Sequence, residues 1–149
     1  MKTTKTTIFS LLASVILILS VSSCAVKSHF LTSTVLPAAQ GTVEVKIDNN
    51  NNYLIKIELS NLSPSTRLTP PREAYVVWMV TDNNAINNLG QLNSTTKFMS
   101  KDLSASFETV SASKPYKIFI TAENDPGIQY PNYSEVILTT NNLNVKDNN

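Results

Sequence analysis

Reactive side chains are scarce in this chain, whose 149 residues include one cysteine, one histidine, one tryptophan and three glycines, with only 15% charged residues. A single cysteine rules out an internal disulfide framework, so a folded body must be held by its hydrophobic core. Residues 24–149 suffice for that, since a domain of such size buries about two-thirds of its unfolded surface. The single histidine, His29, lies far from any patterned segment. A Ser-His-Asp site would need it as the general base, and zinc would need further nitrogen or sulfur ligands. Lys and Arg total 12 against 11 Asp and Glu. That balance supplies no field for gathering nucleic acid, which is set aside as a partner.

One long apolar run is present, and it stands at the start. Lys2 and Lys5 precede Ile8–Leu19, and small residues follow, which are the three parts of an export signal. The run is shorter than the roughly 20 apolar residues a membrane span needs. Val21-Ser22-Ser23-Cys24 then resembles the lipobox of bacterial lipoproteins. The resemblance implies removal of residues 1–23, a diacylglycerol on the Cys24 thiol and an acyl chain such as palmitate on its new amino group. Two or more chains, at about 0.8 kcal/mol per buried methylene, hold firmly where one comes and goes. Ala25 follows where an Asp would retain a Gram-negative lipoprotein in the inner membrane, so the implied address is the cell envelope and its outer membrane.

Residues 24–40 mix Ser, Thr and Lys without a sustained period and are expected to be a flexible tether. From Gly41 the pattern becomes strict alternation. Val43, Val45 and Ile47 oppose Glu44 and Lys46, and after the Asn49–Asn52 run Tyr53, Ile55, Ile57 and Leu59 oppose Lys56 and Glu58. This predicts an antiparallel hairpin. Pro64, Pro70 and Pro71 mark residues 61–72 as a crossover loop. The unbroken apolar run Tyr75–Val80 predicts a central strand buried on both faces. Shorter strands are expected at Leu89–Leu92, Leu103–Thr109, Tyr116–Ala122 and Glu135–Thr140, with Thr96–Ser100 between them. A polar tail, 141–149, is expected to fray. The whole predicts an all-β fold over 41–140: an antiparallel, immunoglobulin-like sandwich of seven or eight strands, with a small barrel as the alternative.

The strand Tyr75-Val76-Val77-Trp78-Met79-Val80, the segment Asn88-Leu89-Gly90-Gln91-Leu92 and the later Lys117–Glu123 run together resemble the C-terminal extracytoplasmic domain of anti-sigma-K factors. The resemblance covers about residues 41–140. It implies the sandwich fold and a place outside the cytoplasm, as a sensory or interaction module. Sigma binding is not implied, because the cytoplasmic helical domain and membrane span of that family have no counterpart here.

Candidate sites are few. Asp82 and Asn84, and Glu123 and Asp125, offer hard oxygen ligands for calcium at strand ends. Ordinary Asx-turn chemistry is the preferred account of both, since neither run has the spaced carboxylates and terminal Glu of a calcium loop. Glu123 and Asp125 could also be argued as an acid and base for glycoside hydrolysis, but two acids in one turn are more commonly solvated surface. Alternation sets Trp78 and Phe119 on the faces opposite Val77, Met79, Ile118 and Ile120. Those aromatics, with Tyr130 and Tyr133, are candidates for partner contact if their face is open, and packing beneath the proline-rich loop or the tail is the competing expectation. With the two resemblances, these residues are expected to form a non-enzymatic envelope module without metal or cofactor, meeting the membrane through Cys24, as the lipobox resemblance implies, and an envelope protein or glycan through its loops. A carbohydrate- or calcium-binding module is the alternative.

Overall fold

The computed structural model describes residues 25–95 and 103–146, so Cys24 and the Thr96–Ser100 segment lie outside the described residues. Nine strands are described: β1 Val26–His29, β2 Gln40–Ile47, β3 Tyr53–Ser60, β4 Ala74–Thr81, β5 Ile86–Gln91, β6 Asn93–Thr95, β7 Ser104–Ser111, β8 Pro115–Glu123 and β9 Val136–Thr139. Two short 3-10 turns, Ser65–Arg67 and Tyr133–Glu135, complete the elements. The first sheet has the order β1-β2-β3-β7-β6, the second β5-β4-β8-β9, and all pairs are antiparallel. Setting β1 aside, these are the two sheets of an immunoglobulin-like sandwich. The sheets do not close into a barrel.

The predicted hairpin pairs Val43 with Ile57 and Val45 with Ile55, all four fully buried. Its turn is built on Asp48, whose carboxylate accepts the Asn50 and Asn52 backbone amides at 2.8 Å each, while Asn51 adopts φ 60°. Asparagine tolerates that left-handed conformation better than most residues, which accounts for Asn51. These amides hold the Asp48 carboxyl below its ordinary value of 3.8, the Asn52 amide contributing most.

Between the sheets, Val43, Val45, Ile55, Ile57, Val77, Met79, Ile118 and Ile120 are all within 1% of complete burial. Tyr75 joins this core and donates from its hydroxyl to the Ser63 carbonyl at 2.7 Å; burial pushes its pKa up to about 12.

Two expected boundaries are corrected. Residues 26–40 are not a tether: β1 adds to the edge of the first sheet with Val26 opposite Val45, and Phe30, Ser33 and Ala39 are buried. Phe30 also joins the sheets, donating its amide to the Gly41 carbonyl at 3.0 Å and bridging to Thr140 beside β9. Nor does the chain fray after Thr140, because Leu143 and Val145 are buried and the Leu143 amide donates to the Tyr116 carbonyl. The domain thus spans at least Val26 to Val145, and β1 lies in the segment expected to be free.

Candidate functional site, an aromatic face under a clasped loop

The outer faces of the two sheets differ in kind. Across the first sheet, register places Lys27, Glu44, Lys56 and Glu108 side by side, a row alternating in sign. The Lys46 ammonium beside Glu44 holds that carboxyl below its usual value. Such an exposed charge row is a solvated face.

The second sheet's outer face is apolar. Trp78 on β4 pairs with Phe119 on β8, and Val76, Trp78 and Phe119 form a small second core with Val80, Ile128 and Val136 packed against it. The Trp78 indole donates to Thr121 Oγ1 at 2.8 Å, so its one polar atom is satisfied within the sheet. Trp78 is 0% and Phe119 5% exposed. The expectation that these two could touch a partner is therefore corrected, and their cover is the β8–β9 connection, residues 124–135, rather than the proline-rich loop or the tail.

That loop is clasped at four places. The Asn88 side-chain amide donates to the carbonyls of Pro126 (3.0 Å) and Ile128 (2.8 Å). The buried Glu123 carboxylate accepts the Asn132 backbone amide at 2.9 Å. Asp125 accepts the Gly127 amide at 2.8 Å, and Arg72 of the proline-rich loop pairs with Glu135. Glu123 and Asp125 are thus engaged by their own loop's backbone. Asp82 and Asn84 belong to the β4–β5 turn, where Asn84 has φ 63°, at the other end of β4. That separation is roughly 25 Å along an eight-residue strand. The two oxygen-bearing runs do not meet, and among the described residues no group of three or more His, Cys, Asp or Glu could hold a metal ion.

The clasped loop carries the exposed tyrosines. Tyr130 is 82% and Tyr133 62% exposed. The Tyr133 ring stacks on Phe119 with centroids 6.1 Å apart, and Phe119 stacks on Trp78 at 6.3 Å. A ladder of three rings therefore runs from the buried sheet to solvent. Beside its outer rung a shallow groove of about 250 Å³ is lined by Val80, Lys117, Phe119, Tyr133, Val136 and Thr139. It offers a ring face, an aliphatic floor and one ammonium, groups able to stack and to hydrogen-bond. Sequence reasoning named both tyrosines but missed Arg72, Asn88 and Lys117. Their roles depend on which loop folds onto which strand, and no local pattern encodes that.

The fold and this face define an all-β sandwich with a loop-borne aromatic surface. Comparison with family models, with curated proteins and with solved structures finds no match.

Proposed function

We propose that the chain is a non-enzymatic, lipid-anchored module of the cell envelope that acts by contact, with the 124–135 loop as its binding element. The observation that carries this reading is Cys24 itself, the sole cysteine, set directly after an export leader and two residues before the first strand of the domain. Acylation there confines the sandwich to a membrane surface and raises its effective concentration toward neighbouring envelope components. Ala25 favours the outer membrane in a Gram-negative cell. The resemblance to the anti-sigma-K extracytoplasmic domain supports a sensory or interaction role, and its three motif segments all fall within the sheet that bears the aromatic face.

Tyr133, rigidly backed by Phe119 and beside a groove, also supports a second reading in which the contacted partner is a glycan, since a sugar ring stacks on an exposed aromatic face. Photo-crosslinkers placed at Tyr130 and Tyr133 in intact cells, followed by mass spectrometry, separate the two. A recurrent envelope protein supports the first reading, a recurrent saccharide adduct the second. Crosslinks no different from those of a probe at Glu108, on the opposite outer face, would remove the loop as the binding element.

A further inference from the structure

The way the chain enters the sandwich fixes which end meets the membrane, and this inference rests on acylation at Cys24. Two residue steps separate Val26 from Cys24, so about 7 Å of chain at most links lipid to strand. Val26 pairs with Val45, near the end where β2 turns at Asp48–Asn52. The same end holds the β4–β5 turn and the β7–β8 connection, tied together by the Asp82 amide donating to the Lys114 carbonyl, and it receives the chain after β9. With no tether to lift it, that end must lie at the headgroups.

Its surface suits that place. The turns there carry the uncharged asparagine runs 49–52, 83–84 and 141–142, which hydrogen-bond with headgroups and water alike. Around them stand three of the large apolar side chains exposed among the described residues: Ile86 (38%), Val110 (57%) and Tyr116 (39%). Each lies within two residues of its strand's terminus at this end. A tyrosine with an apolar body and a polar tip fits a membrane interface, and shallow burial of apolar area adds to an acyl anchor. The 124–135 loop leaves β8 at the opposite end, beyond Glu123, where the Asn132 amide returns to the Glu123 carboxylate, and it then folds over the outer face so that Tyr133 stacks on mid-strand Phe119.

We propose that the Asn-rich end of the sandwich, ringed by Ile86, Val110 and Tyr116, is a contact surface for the headgroup layer of the bilayer that carries the chain's own lipid. The domain then stands upright, with the Glu123 end, from which the 124–135 loop leaves, directed away from the membrane and Tyr133 on its flank.

The test uses the full acylated chain in phosphatidylethanolamine and phosphatidylglycerol vesicles containing a lipid with a nitroxide on its headgroup. Single fluorophores are introduced through Asn50→Cys, Asn83→Cys and Tyr130→Cys, the thioether at Cys24 leaving no competing thiol. The proposal expects fluorescence at positions 50 and 83 to be quenched several-fold more than at 130. Adding Val110→Ser and Ile86→Ser should weaken quenching at position 50 while circular dichroism stays unchanged. Equal quenching at both ends, or stronger quenching at 130, overturns the orientation and leaves the anchor standing. Unchanged quenching in the serine variants overturns the apolar contact. A chain that fails to float with vesicles, or that keeps a free thiol at Cys24, overturns the anchoring reading and this one with it.

Discussion

Gly41 has no room for a β-carbon: one placed there would lie 2.2 Å from Leu59 Cδ2 and 2.5 Å from the Glu58 carbonyl oxygen. The second of these neighbours is backbone of β3 and cannot rotate away. Gly41→Ala is therefore expected to destabilise the domain by about 1–3 kcal/mol, the usual cost of overpacking, and to lower the thermal midpoint by several degrees. Tyr75 makes a prediction of a different kind. Its pKa in the folded protein is about 12, against about 10 in an unfolded chain. Between those values the unfolded state releases a proton that the native state keeps, so raising the pH favours unfolding. The stability contributed by the neutral hydroxyl is whole below about pH 10 and lost as pH rises through about 12, an effect of roughly 2–3 kcal/mol. Urea midpoints measured across this window should fall for the wild type and fall less steeply for Tyr75→Phe. Asp48 has the opposite sign. Its depressed pKa gives stability present above about 3.9 and lost as pH falls through the folded value, and Asp48→Ala should remove that acid-side slope.

Among the elements, the 124–135 loop matters most, because it covers an apolar sheet face that would otherwise be open. Trp78→Ala should cost about 3–5 kcal/mol, as for other fully buried aromatics. Arg72→Ala removes a partly exposed ion pair worth about 1 kcal/mol or less to global stability, yet it frees one end of the loop. Amide exchange should thus quicken at residues 128–135 in that variant while β4 and β8 keep their protection. The strands were legible because period-two alternation is imposed by the pleat and is written locally: Val43 to Ile47 and Tyr53 to Leu59 state their inward faces outright. The central place of β4 was legible from a different local signal, the unbroken apolar run Tyr75–Val80, and six consecutive residues from Ala74 to Met79 are buried. What escaped was non-local. β1 has four residues, too few for a period to show, and it is a strand only because β2 offers an edge. Phe30, Leu143 and Val145 are buried by the closing of the two sheets' edges, and the cover of Trp78 is set by loop docking through Asn88, Glu123 and Arg72.

At the scale of the whole molecule, the two outer faces and the two ends divide the work. The first sheet turns an alternating charge row to solvent, while the second is apolar and sealed by a loop whose tyrosines stand outward. The first strand begins two residues after Cys24, so an anchor at that position would hold the folded body directly against a surface with no spacer between. Among the described residues no helix is long and apolar enough to cross a membrane, and the proposed acyl chains on Cys24 are the primary attachment, with the Asn-rich end touching the headgroups. Lipid on Cys24 is the central claim, and the most direct measurement is the intact mass and N-terminal peptide of the protein taken from the membrane fraction of its own cells. The expected result is a chain beginning at residue 24 with a diacylglyceryl group on the cysteine sulfur. A chain still beginning at Met1, or one cut elsewhere with an unmodified Cys24 thiol, would contradict it.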